Sequence, residues 1–218
     1  MACLLRMRTW TVGTMLAWAA RAVLPEEVLG KAKALVVTIH VTDNVNISSS
    51  ALVGAQASVT DAYSAAGFQV VWSSAPWQPE PDEGARLSTI DVQLVILPAD
   101  MAERLCREEQ LGERVLGIAA SGAEAGGRVA YVFYHRIERV ASAYHVPVMR
   151  ALGHVVAHEV GHALIGVSGH SGWGLMAANW NPRRSRPQTF MPSPVEQIRR
   201  RFMHPARVNS AARPGLRP

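Results

Sequence analysis

Between His158 and Met176 the chain reads HEVGHALIGVSGHSGWGLM. His158, Glu159 and His162 form the pattern H-E-x-x-H. On a helix, residues four apart lie one turn above each other. The imidazoles of His158 and His162 then point the same way and can hold one metal ion. Glu159 sits roughly 100° around the helix from His158, at 3.6 residues per turn. It can reach a water beside the metal without occupying a coordination position. That is the division of labour of a zinc hydrolase. Zinc lowers the pKa of the water and polarises the scissile carbonyl, while the carboxylate takes the proton and later delivers it to the leaving group.

A catalytic zinc site needs a third protein ligand and one open position. His170 is the first candidate. Gly166 and Gly169 let the chain leave the helix and turn back toward the metal. Two competitors stand beside it. His154 precedes His158 by four residues and shares its face, but His154 and His162 are separated by about 12 Å along a helix axis, too far for one ion to bind both with His158. Glu196 lies in a later helix, where Arg199 and Arg200 offer it intrahelical ion pairs.

The whole stretch resembles the metzincin zinc-peptidase signature, H-E-x-x-H-x-x-G-x-x-H followed by a Met-turn. The resemblance assigns His158, His162 and His170 as metal ligands for Zn2+, Glu159 as general base and Met176 as the Met-turn methionine beneath the metal. Ser171, directly after the third histidine, is similar to the matrixin-like branch. The chain resembles most a group of small bacterial proteins with an HEIGH…HS…GIM pattern and a tryptophan soon after the methionine, here Trp180. Two features depart from the signature. The spacing from His162 to His170 is two residues longer, and Ile165 stands at the glycine position, with Gly166 one place late.

The elements that must position these residues follow from periodicity. Segment 31–41 is apolar and β-branched and reads as a buried strand. A polar loop follows, with Ser48 to Ser50 as helix N-cap candidates. Leu52, Ala55, Val59, Ala62, Tyr63 and Ala66 recur at helical spacing up to Gly67. FQVVWS, residues 68–73, is a second strand, parallel to the first with a right-handed crossover. DVQLVILP (91–98) is a third strand, 100–110 a short polar helix carrying Cys106, and VLGIAA (115–120) a short strand. RVAYVFYHRI (128–137) reads as a strong strand. A hinge near 144–147 leads into the metal-binding helix, whose apolar face comprises Met149, Leu152, Val156, Val160, Ala163 and Leu164. A last helix covers 193–202. The expected fold is α/β (α+β). The resemblance makes it a metzincin-like twisted mixed sheet with a backing helix and an HExxH active-site helix. In that family an edge strand before the active-site helix pairs with the extended substrate. The matching strand here is RVAYVFYHRI, with Tyr131 or Tyr134 facing either a cleft or its cross-strand neighbours.

Length and composition set the outer bounds. The chain has 218 residues, 49% apolar and 18% charged, as for a globular domain. The two cysteines, Cys3 and Cys106, exclude a disulfide framework. Residues 1–30 have the layout of a signal peptide or an N-terminal extension: Arg6 and Arg8, an apolar run from Trp10 to Ala20, then small residues. This run is too short to span a bilayer, and secretion or a periplasmic location is expected. Residues 31–204 form the single catalytic domain and 205–218 a basic tail. The net charge is +5, with nine arginines and one acid between Asn181 and Pro218. Without aromatic stacking platforms, that tail is not a specific nucleic-acid site. The expected activity is hydrolysis of peptide bonds in a peptide or protein substrate by a monomer. The same residues also permit a non-peptide amide hydrolase or a non-catalytic module stapled by zinc.

Overall fold

The computed structural model describes residues 34–75, 89–122, 127–166, 170–183 and 188–203. The expected leader, the loop after Ala75, Gly169 and the basic tail lie outside the described residues. The chain divides at Ala32, and the fold described below belongs to the unit Lys33–Pro218.

A five-stranded sheet has the order β2-β1-β3-β5-β4. Its strands are β1 (Leu35–Asp43), β2 (Phe68–Ser73), β3 (Thr89–Leu97), β4 (Gly117–Gly122) and β5 (Gly127–Phe133). β1 pairs in parallel with β2 and β3, β3 pairs in parallel with β5, and β4 alone runs antiparallel, against β5. The expected mixed α/β sheet with parallel first and second strands is therefore present. Alternation along β1 buries Leu35, Val37 and Ile39 on one face, as a half-covered strand requires.

Helices α1 (Ser49–Ala65) and α4 (Val148–Ile165) belong to the main core together with that face. The carboxylate of Asp43 ends β1 by accepting the backbone N–H groups of Val45, Asn46 and Ile47. Ser48 then caps α1 by accepting from Ala51 N–H. α1 and α4 approach through small residues: a Cβ on Gly153 would stand 2.9 Å from Ser58 Cβ and 3.0 Å from Ala55 O. On the opposite face, α2 (Ala99–Glu108) joins a smaller cluster containing Val95, Leu97, Val129 and Phe133. Cys106 is on that helix as expected and is buried in the cluster.

Three expectations need correction. The strand read over 128–137 ends at Phe133, and α3 (Tyr134–Tyr144) follows at once. Tyr134, Ile137 and Ala141 are buried at helical spacing, so the period changes from two to near 3.6 inside one apolar run. Tyr134 thus lies in the main core and Tyr131 packs into the α2 cluster; neither serves as a cleft tyrosine on an edge strand. β5 is an interior strand, and the edge strand beside it is β4. Met149, placed on the apolar face of α4, is 38% exposed, whereas Leu152, Val156, Val160, Ala163 and Leu164 are buried as expected.

α5 (Pro192–Met203) closes the fold with arginines. Arg199 donates to Ala66 O at the end of α1, and Arg201 donates to Leu164 O at the end of α4. Both complement the negative end of a helix dipole. Among the described residues, no helix is long and apolar enough to cross a membrane.

Candidate metal centre

From Arg150 to His162, the residues of α4 that are not buried are Arg150, His154, His158 and His162. The spacing of four leaves one open stripe on an otherwise buried helix. His158 and His162 occupy its C-terminal half. Gly166 ends the helix in the left-handed region at φ 75°, and the chain returns to bring His170 to the same point.

The ligand nitrogens of His158, His162 and His170 all lie within 4.8 Å of one another, a grouping that could hold a metal ion. Nε2 of His162 is 3.1 Å from Nε2 of His158 and 3.3 Å from Nε2 of His170. Two nitrogens bound tetrahedrally to one ion at about 2.1 Å are separated by about 3.4 Å, so the observed approaches suit a common ion. The Nδ1 of His158 lies 2.8 Å from the carbonyl of Leu175. An Nδ1–H donated there leaves the Nε2 lone pair for a metal and fixes the ring plane. Burial lowers the pKa of His158 against the raising effect of that carbonyl, with a smaller lowering from His170. The neutral form, the one that ligates, is therefore favoured.

Met176 packs against the same helix at Gly161. It is fully buried, and a Cβ on Gly161 would meet its Sδ at 2.5 Å and Phe190 Cε1 at 3.3 Å. Gly161, between Glu159 and His162, gives the methionine its place. The carbonyl of Met176 accepts the N–H of Ser171 at 2.8 Å. Consecutive carbonyls, of Leu175 and Met176, thus hold His158 and the residue beside His170. Tyr63 reinforces the helix from α1: its hydroxyl donates to Ala157 O at 3.1 Å, and its ring meets Phe190 edge-on at 4.9 Å.

Glu159 is 7% exposed. Its side chain lies over the start of β4, where a Cβ on Gly117 would come within 2.8 Å of Glu159 Cγ and 2.6 Å of Tyr131 O. Burial raises its pKa to about 8. A carboxyl so placed exchanges a proton readily near neutral pH.

The two competing ligands go elsewhere. His154 stacks on Trp180 with ring centroids 4.3 Å apart and planes 12° apart, and burial lowers its pKa to about 3. Glu196 pairs with Arg200 at 2.9 Å on the surface of α5, while Arg199 caps α1 instead. Leu175, Gly161, Gly117 and Arg201 were not singled out from the sequence. Leu175 acts through its carbonyl, so its side-chain type gives no signal. The others act through close approaches across the fold. Neither the protein-family models nor the curated proteins contain a match to this chain.

Proposed function

We propose that this protein is a zinc-dependent metalloendopeptidase of the metzincin type. The observation that carries the reading is the convergence of His158, His162 and His170 on one point, with the Glu159 carboxyl on the next position of the same helix. Three imidazoles fit zinc in an open catalytic site, and the donor set favours it over the harder, oxygen-seeking cations. When bound, the ion supplies Lewis acidity, activating water and polarising the scissile carbonyl.

The chain's own residues supply the rest. The Leu175 carbonyl orients His158. Glu159 removes a proton from the attacking water and returns it to the leaving nitrogen. Its burial, with no cation paired to it among the described residues, suits a carboxyl that must both accept and donate. The edge strand β4 begins at Gly117, beside Glu159. Its free edge offers the ladder on which an extended peptide adds as a further strand, and so replaces the strand expected in that role.

The test is cleavage of a mixed peptide library by zinc-loaded protein, with Glu159→Gln as control. The expected result is cleavage by the wild type and a loss of roughly 10²–10⁴-fold in turnover for the variant, with zinc still bound. Equal turnover by both would remove Glu159 from the mechanism. Zinc bound with no peptide cleaved would turn the reading toward a non-peptide amide or a structural metal.

A further inference from the structure

The open stripe of α4 does not stop at the histidine cluster. It continues toward the helix N-terminus through His154 to Arg150. Each step of four residues rises about 6 Å, so Arg150 lies about 12 Å from His158 along the axis. His154 fills the first step, its ring 6.3 Å from that of His158. Trp180 lies against His154, and the same segment then carries Arg183, whose guanidinium sits 5.6 Å over the ring of Tyr144. The track leading away from the metal centre is therefore aromatic near the metal and cationic at its far end.

Neither arginine is neutralised by an acid among the described residues. The ion pairs there are His40–Asp91, His135–Glu103, Arg136–Glu103 and Arg200–Glu196, none of which touches Arg150 or Arg183. Arg136, Arg199 and Arg201 donate to backbone carbonyls and hold elements together. Arg150, half-exposed on the ligand-bearing face, makes no such bond among the described residues. A guanidinium fork left free on the same helix face as the His154–Trp180 stack suits a carboxylate, which it can bind through two parallel hydrogen bonds.

We infer that Arg150 selects a carboxylate on the substrate lying along this track. The cutting of that substrate rests on the peptidase reading; the selection does not. An extended peptide advances about 3.4 Å per residue, which places the recognised group roughly two to four residues from the scissile bond. That carboxylate comes from an internal Asp or Glu or from the end of the peptide chain, and the two sources are separable.

The experiment uses paired fluorogenic peptides with Glu or Gln at each of four positions on either side of the bond, each made with a free or an amidated C-terminus. At one position the wild type is expected to favour the acid about tenfold in kcat/KM. Arg150→Gln should bring the ratio to near one, Arg150→Glu should invert it, and Arg150→Lys should restore part of it. If the ratio follows the free terminus rather than the side chain, the end of the chain is the recognised group. A second arm measures binding without turnover, as fluorescence anisotropy of labelled Glu and Gln peptides on zinc-loaded Glu159→Gln protein, with and without Arg150→Gln. Acid-selective binding lost with Arg150 supports the inference even where no peptide is cut, an outcome that would sink the peptidase reading alone. No acid selectivity in either arm, or a ratio unchanged by Arg150→Gln, overturns it.

Discussion

Replacing Gly166 by Ala should destabilise the metal-free protein by about 2 kcal/mol. Gly166 lies at φ 75°, where a side chain costs about 1–2 kcal/mol. The added methyl would also collide with the Arg201 guanidinium. Arg201 would have to swing away and release its hydrogen bond of 3.1 Å to Leu164 O. A hydrogen bond from a charged donor contributes up to about 3 kcal/mol, but Arg201 is half-exposed and solvent screening reduces this to about 1. The lower entropy of an unfolded chain carrying Ala offsets about 0.4–1 kcal/mol of the sum. With a urea slope of about 2 kcal/mol per molar, the midpoint should fall by about 1 M. Arg201→Ala alone should cost about 1 kcal/mol. In the double variant the lost hydrogen bond is counted once, so the combined cost should fall about 1 kcal/mol short of additive. Urea titrations of the four EDTA-treated proteins decide the matter. A Gly166→Ala midpoint within about 0.2 M of wild type, roughly 0.4 kcal/mol at that slope, or strict additivity in the cycle, would refute the account of the helix exit.

Three further outcomes are expected. His170→Ala should lower zinc affinity by more than the roughly 10–100-fold typical of losing a supporting partner, whereas His154→Ala should leave it close to wild type; competition with a chromophoric chelator reads both, and the reverse order would make His154 the third ligand. Gly117→Ala puts a methyl against Tyr131 O and Glu159 Cγ, so it should cost about 1–3 kcal/mol and lower kcat with zinc affinity retained; full activity would show that β4 yields freely. His154 carries a folded pKa of about 3, below its ordinary value of 6.5. The unfolded chain binds the extra proton, so this contribution is complete above pH 6.5 and is lost as pH falls toward 3. Metal-free His154→Phe should therefore lose less stability than wild type between about pH 7 and pH 4.5, and parallel losses would place the acid sensitivity elsewhere.

The parts of this fold legible in the sequence are those fixed by local periodicity. β1, β2, β3, α1 and α4 emerge from runs of apolar residues at one clear period, and the helix position of His158 and His162 follows from arithmetic alone. The return of His170 was legible only as a pair of glycines and a downstream histidine. Gly166 does end the helix in the left-handed region. The failure at 128–137 has a physical origin. VAYVF runs into YHRI with no glycine, proline or capping side chain between them, so nothing local marks the change from strand to helix at Phe133–Tyr134. The edge strand was misplaced for a different reason. β4 precedes β5 in sequence but lies outside it, a hairpin order that strand patterns do not encode. The arginines of the last helix carry no such signal in the sequence, yet Arg199 and Arg201 close two helices whose ends lie far away in sequence.

These long-range contacts explain how a helix as buried as α4 can present a reactive face. Burial alone would pack every position of the helix. The stripe Arg150–His154–His158–His162 stays half-exposed, with Trp180 stacked on His154, because the other neighbouring elements meet α4 around it: α1 closes in through Ala55 and Ser58 at Gly153, and Met176 fills the space at Gly161. Two of the three clustered histidines and the helix end are then tied from outside the helix. Leu175 O orients His158, Met176 O holds Ser171 beside His170, and Arg201 secures the carbonyl end from which the chain leaves for His170. A shift of the segment carrying Leu175 and Met176 would release two of these ties together, because the two residues are adjacent. Buried Met176 is therefore the point at which core packing and the geometry of the histidine cluster are coupled. A loss of volume there should loosen His158 and His170 in concert while leaving the sheet intact.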